Sequence, residues 1–462
     1  MKYKLRPYQK EDLSFFLSHP KSAIWYEPRL GKTVMTCAIL KETLPKTVLI
    51  ACPKNALFVW RDHLTEFFAE QAPDIKINVV LVRGTAEERR LLWMRHLWTK
   101  EPKAAHCTFF IVTWASLQRD MSILAQEGSV FTAVIGDEYH KYLLNRKNVT
   151  FEMMTDIVDN AVRWHPLSGT PAGRGQGQQF WPVLRLINRK KFRSYWHFVE
   201  EYCDVGVSSL GHSRILGVKS PKAFRSMLNE HGIVRLRSEV ATQIPRMQRQ
   251  LWPVEMTPLQ AKAYEQLMQD GYFWKKDSPE LVVSAEGMEK MLRLRQLLAC
   301  PALLDPALGV GGGLESIVEY MQEESEDVNA KHIVIFTPFA KALPIIKDYL
   351  SQNGFGHTWT LKGGTEPEEL EEKYRKFKQQ KGIIVCSTKY AQAFTLEGPQ
   401  QCFHLGYELN VDDNKQAEER LLPQEGVDPI LSRYVTYEST VDRQLVEIVN
   451  FKHKSVTDIM GN

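Results

Sequence analysis

The stretch Tyr26-Glu27-Pro28-Arg29-Leu30-Gly31-Lys32-Thr33 decides how this chain is read. It follows a short apolar run, Ala23-Ile24-Trp25, and opens a helical pattern from Val34 to Leu40, which predicts a strand, a tight loop and a helix start. A helix N-terminus offers unpaired backbone N–H groups and the positive end of a dipole, so a Gly-Lys-Thr placed there can cradle phosphates. In that reading Lys32 reaches the β/γ-phosphates and Thr33 offers its hydroxyl to Mg2+. Gly31 lets the backbone approach the nucleotide without a Cβ in the way. The full phosphate-loop pattern asks for glycine where Tyr26 stands. Gly-Lys-Thr alone therefore also fits an ordinary helix start, and the downstream residues must decide.

Downstream, β-rich runs at Thr47 to Cys52, Cys107 to Thr113 and Phe131 to Gly136 alternate with helical patterns such as Phe58 to Glu70. This alternation is the signature of a parallel α/β sheet. Each run ends in polar or special residues, Pro53-Lys54, Thr113-Trp114 and Asp137-Glu138, at the carboxyl strand ends where open α/β sheets bind ligands. Asp137 and Glu138 suit a metal–nucleotide site, with Asp137 on the metal and Glu138 as base toward water. Taken alone, two acids after a strand are also a common solvated turn. Ser168-Gly169-Thr170-Pro171 closes another short run; its hydroxyls can sense a phosphate or simply make a turn.

From about Ile187 to Cys300 the pattern turns to helices and aromatic-rich polar segments, with loops expected around Val205 to Pro221 and Gln243 to Pro258. Strand-like runs return at Ile333 to Phe336, Thr358 to Leu361, Ile383 to Cys386, Cys402 to Leu405 and Tyr434 to Tyr437, predicting a second α/β lobe. The 462 residues are 44% apolar and 25% charged, as in ordinary globular protein. A formal net charge of +4 leaves any nucleic-acid partner to local basic patches. Seven scattered cysteines without a Cys-x-x-Cys pair read as small buried hydrophobes in a reducing compartment. No apolar run reaches the roughly 18 residues that span a bilayer, so a soluble, intracellular protein without a membrane partner is expected; a monomer is the expected state.

The order of Leu5-Arg6-Pro7-Tyr8-Gln9, the Gly-Lys-Thr loop, Asp137 to His140 and Ser168 to Pro171 resembles a superfamily 2 helicase core, and more closely the SNF2 family. The resemblance continues through Cys52-Pro53-Lys54 with Trp60-Arg61, Tyr195 to Cys203, Leu236-Arg237 and Met256 to Gln260. In the second lobe it takes in Leu292 to Gln296, Ile335-Phe336, Leu361 to Thr365, Cys386 to Lys389 and Gln416 to Arg420. It implies two RecA-like lobes with inserted helical segments: residues 1–240 with a helical insertion from about 187, a linker and insertion over 241–313, and 314–462. It implies ATP and Mg2+ as cofactors and DNA, duplex or branched, as partner.

The resemblance also implies roles. Gln9 reads the adenine edge; Gly31, Lys32 and Thr33 hold phosphates and Mg2+; Asp137 and Glu138 act on metal and water. His140, Ser168, Gly169, Thr170 and Gln416 couple hydrolysis to lobe movement, and Arg420 faces the γ-phosphate from the second lobe. Lys54, Thr113, Lys362, Thr365, Thr388 and Lys389 match positions lining the nucleic-acid track. Three departures stand out. Arg29 occupies a position usually held by glycine, Tyr390 to Phe394 replaces a glycine-rich turn, and Pro423 stands where a second arginine follows Arg420. The expected activity is that of an ATP-dependent DNA translocase or helicase in repair, recombination or fork processing, with Arg420, assisted by Arg29, as the finger. The alternatives are a translocase displacing proteins such as RNA polymerase, and an ATP-gated DNA-binding protein with little turnover.

Overall fold

The computed structural model describes residues 3–98, 105–126, 131–143, 146, 149–169, 171, 177–207, 213–240, 247–274, 281–283, 288–323, 332–363, 367–391, 399, 401–408, 411–422 and 430–442. Two compact units are present, one within Met1–Ala241 and one within Thr242–Lys452.

The strands of the first unit are β1 (Ala23–Tyr26), β2 (Thr47–Cys52), β3 (Ile77–Val82), β4 (Cys107–Thr113), β5 (Ala133–Asp137), β6 (Arg163–Leu167), a hairpin of β7 (Cys203–Val207) and β8 (Ser213–Val218), and β9 (Gly232–Arg235). Seven of them form one sheet in the order β3-β4-β2-β5-β6-β1-β9, with every pairing parallel. Parallel strands covered on both faces need continuous apolar runs, and β1, β2 and β4 have them. Trp25, Trp60, Trp93, Trp114 and Trp164 are all fully buried in this unit. Because all strands run one way, their carboxyl ends share one edge: Cys52 pairs Thr113, Asp137 pairs Leu167 and Tyr26 pairs Arg235.

In the second unit the strands are β10 (Met247–Val254), the antiparallel pair β11 (Tyr272–Trp274) and β12 (Leu281–Val283), β13 (His332–Thr337), β14 (Thr358–Leu361), β15 (Gly382–Ser387), β16 (Gln401–His404) and β17 (Ile430–Tyr437). Six form a parallel sheet in the order β10-β17-β16-β13-β15-β14. The fold is thus α/β with two parallel sheets and helical segments within each unit, as the alternation of patterns predicts.

The stretch after 187 is less purely helical than expected. It contains the β7/β8 hairpin where a loop was expected, and β9, which joins the first sheet beside β1. The predicted loop at Gln243 to Pro258 contains β10. That strand, Met-Gln-Arg-Gln-Leu-Trp-Pro-Val, lies at a sheet edge and is mostly exposed, so it carries no apolar run and tolerates Pro253. All seven cysteines are buried and free. Among the described residues no helix is long and apolar enough to cross a membrane.

Candidate functional site

The loop after β1 is shaped by two left-handed residues. Arg29 has φ 70° and Gly31 φ 77°, after which the helix Lys32–Thr43 begins. A Cβ on Gly31 would stand 2.6 Å from Gln9 Nε2, so the loop closes onto that side chain only with glycine. Gln9 is buried. Its Nε2 donates to the carbonyls of Leu30 and Gly31, each at 3.2 Å, and its Oε1 accepts from Arg6 N at 2.9 Å. Tyr8 O–H donates to the Leu30 carbonyl at 2.7 Å. The Gln9 carboxamide thus braces the loop through both carbonyls and keeps one acceptor lone pair.

Lys32 Nζ donates to the Tyr26 carbonyl at 3.0 Å, and the same Nζ stands 3.0 Å from where a Cβ on Gly169 would be. The glycine after β6 thus makes room for the lysine after β1. Asp137 ends β5, with its Oδ2 accepting from Trp60 Nε1 at 2.9 Å and its carbonyl from Trp114 Nε1 at 2.8 Å. Burial, with the neighbouring Glu138 charge, pushes its carboxyl up to about 6, although the Trp60 bond and the Lys32 ammonium work the other way. Glu138 holds a left-handed φ of 50°. His140 Nδ1 lies 3.4 Å from Glu138 Oε2 and 2.8 Å from Ser168 Oγ, with His140 and Ser168 both buried. Lys32, Asp137, Glu138, His140, Ser168 and Gly169 are therefore gathered at the carboxyl ends of three neighbouring strands.

A second layer holds this edge, and its roles were not legible in the motifs. Buried Asp12 accepts from Tyr26 O–H at 2.6 Å and takes a bidentate guanidinium from Arg235 at the end of β9. Arg237 ties down the start of the turn, its N–H reaching Glu27 Oε2 at 2.6 Å and its Nη2 the Pro28 carbonyl at 3.0 Å. Leu236-Arg237 carried a sequence signal only as part of the family pattern. Asp12 and Arg235 carried none.

Lys54 is exposed after β2, and Thr113 ends the adjacent β4 with its Oγ1 bonded to Ser116 N and Oγ. Gln416, Arg420, Lys362, Thr388 and Lys389 belong to the second unit. Gln416 is buried on the helix Val411–Glu419 and Arg420 follows its end. Glu418 pairs with Arg249 at 2.7 Å and Glu419 with Lys415 at 3.9 Å. Lys362 and Lys389 are exposed, Lys389 lying 3.5 Å from Glu408. Thr388, in contrast, is fully buried at the start of the helix Thr388–Ala391, which corrects its placement as a surface contact. Thr170, Thr365 and Pro423 lie outside the described residues, as does the segment 392–398.

The site fits a metal-bound nucleotide. Lys32 and the half-buried Asp137 carboxylate stand at one end of the helix Lys32–Thr43, beside glycines whose Cβ atoms would fill the space. Among the described residues no group of three or more His, Cys, Asp or Glu is placed to hold a metal by itself. A Mg2+ that arrives on phosphates needs only one or two protein oxygens, which Asp137 and Thr33 can supply.

A family model described as the SNF2-related domain matches residues 8–303. The DNA annealing helicase and endonuclease ZRANB3 of Bos taurus is 26% identical over 288 residues, covering 59% of this chain and 25% of that protein. Protein CHROMATIN REMODELING 4 of Arabidopsis thaliana is 23% identical over 351 residues, covering 70% of this chain and 15% of that protein. This chain thus spans a quarter or less of the length of either relative. Among solved structures, the Sulfolobus solfataricus SWI2/SNF2 ATPase core in complex with dsDNA aligns with a TM-score of 0.43 at 18% identity, over 99% of this chain and 93% of that one.

Proposed function

Since the chain belongs to the SNF2-related domain family, whose match takes in nearly two thirds of it, we propose that it is an ATP-dependent translocase on double-stranded or branched DNA, working in repair, recombination or fork processing. The observation that carries this reading is the meeting of Lys32, Asp137, Glu138 and the His140–Ser168 pair at one end of a parallel sheet. Lys32 binds the phosphates, Thr33 and Asp137 hold the metal, and Glu138 orients the attacking water. When bound, Mg2+ neutralises charge on the phosphate oxygens. The hydrogen bond between His140 and Ser168 links the water-side acid to the end of β6, so a change at Glu138 is felt at the residues that couple to motion. From the family pattern we assign coupling to Gln416 and the finger role to Arg420, with Arg29 adding positive charge in the phosphate loop. Lys54, Thr113, Lys362, Thr365 and Lys389 line the DNA backbone. We take the lobes as the two compact units, within 1–241 and 242–452, since β10 lies in the second sheet and residues 263–310 contribute to its core.

Turnover of ATP with fork, duplex, single-stranded DNA or RNA tests this. We expect stimulation by duplex or fork, and its loss in Lys32→Ala and in Glu138→Gln with unchanged melting curves. Turnover within a few-fold of wild type in both variants would remove these residues from the mechanism. Tight ATP-dependent DNA binding with almost no turnover in the wild type would instead favour an ATP-gated binding protein, and a roadblock-displacement assay separates out a protein-stripping motor.

A further inference from the structure

Away from the phosphate loop, the first unit carries a patch that the reading above does not use. Trp196, on the helix Tyr195–Tyr202, is 62% exposed, among the most exposed large hydrophobic side chains of the unit. The guanidinium of Arg146 lies 4.5 Å over the Tyr195 ring and 5.6 Å over the Trp196 ring. Tyr195 is itself anchored edge-on to Trp181 at 5.6 Å, so the platform is held from beneath. Immediately before it runs Arg189-Lys190-Lys191-Phe192-Arg193, with Phe192 buried and the four cations exposed. Arg189 pairs with Asp159 and Lys191 with Glu230, whereas among the described residues Lys190 and Arg193 have no ion-pair partner.

An exposed indole costs free energy in water, and a cation held over it adds local positive potential. Aromatic faces interleaved with free cations suit one kind of ligand, a single strand whose bases stack and whose phosphates are met by charge. A closed duplex presents no free base face, so the indole would gain nothing from it. We propose that Arg146, Trp196, Lys190 and Arg193 form a binding site for an unpaired DNA strand, one base stacking on Trp196 beside Arg146 and the adjoining phosphates meeting Lys190 and Arg193. The site rests on the reading of the chain as a DNA motor and names its substrate more closely: DNA with an unpaired arm.

The test is binding of the full chain without nucleotide to a fork with unpaired arms and to a blunt duplex, read by fluorescence anisotropy. Stacking of one base predicts that Trp196→Ala weakens fork binding by roughly 5- to 100-fold and leaves blunt-duplex affinity and duplex-stimulated turnover as in the wild type. Trp196→Phe should keep most of the fork affinity. The double variant Lys190→Ala/Arg193→Ala should lower the salt slope of fork binding by about 1 to 2. Wild-type fork affinity in Trp196→Ala would overturn the site, as would an equal loss on fork and duplex or equal competition by polyglutamate. Absence of DNA-stimulated turnover in the wild type would sink the motor reading, while the nucleotide-free fork preference would still decide this one.

Discussion

At the residue scale, Arg29 and Asp137 in the first unit both sit against their own preferences. Arg29 holds φ 70° in the phosphate loop, a conformation that costs any residue with a Cβ. Arg29→Gly should raise stability by about 0.5–1 kcal/mol, the relieved strain being partly offset by a more flexible unfolded chain. Its melting temperature checks this, and a several-fold rise in the KM for ATP would show that the arginine charge assists binding. Asp137 is the second case, its carboxyl raised from 3.8 to about 6, chiefly by burial. The native state then binds more protons than the unfolded chain between those values, so stability falls as pH rises through that window and levels off above it. Asp137→Asn, free of metal and nucleotide, should therefore be more stable than wild type at neutral pH by about 1–3 kcal/mol. The gain should vanish below the ordinary aspartate range, and turnover should be lost. Urea unfolding at several pH values measures it; a destabilised variant at neutral pH would contradict the burial argument.

At the element scale, the helix Val411–Glu419 is moored by one buried acid. Glu418 accepts from Arg249 on β10 at 2.8 Å, and from Ser432 Oγ at 2.6 Å and Tyr434 O–H at 2.8 Å on β17. His404, stacked on Tyr434 at 4.2 Å between ring centroids, stands 3.5 Å away. Burial alone would push the Glu418 carboxyl up, but Arg249 and the bonds from His404 and Ser432 outweigh it and bring the group down to about 2. Its contribution to stability is thus complete above the ordinary glutamate range and is lost as pH falls toward about 2. Arg249→Met should cost about 3 kcal/mol, the low end for a broken buried pair because the guanidinium is partly exposed. Glu418→Gln should flatten the acid limb of the stability profile. Denaturant midpoints at acid and neutral pH check both, and an unchanged midpoint in Arg249→Met would mean that water, not Arg249, carries the charge. Since Gln416 and Arg420 ride on or just past this helix, its mooring also fixes where they stand.

At the scale of the whole molecule, each unit has its own apolar core. One cluster is drawn from residues 23–236 and the other from 263–441. A fragment of residues 1–241 should therefore fold cooperatively on its own, with a single thermal transition and protected amides in β2, β4 and β5. A broad, non-cooperative melt would show that its core is incomplete. The local patterns were enough to place most strands of both sheets and the motif residues at their carboxyl ends, because parallel strands need apolar runs and polar residues gather where those runs stop. β10 escaped because an exposed edge strand has no such run, and β9 because its Gly-Ile-Val-Arg is too short to show a period, whereas β3, Ile-Asn-Val-Val-Leu-Val, carries a run and still is not among the expected strands. Sequence alone thus determined that Lys32, Asp137, Glu138 and Ser168 stand at strand ends. Which strands are neighbours was decided only in three dimensions, and with it that Trp60 holds Asp137, that Arg235 reaches Asp12 across 223 residues and that Gln9 faces its own loop. The reason is physical: a periodicity reports which face of an element is buried, whereas a buried polar group's partner depends on what long-range pairing brings beside it.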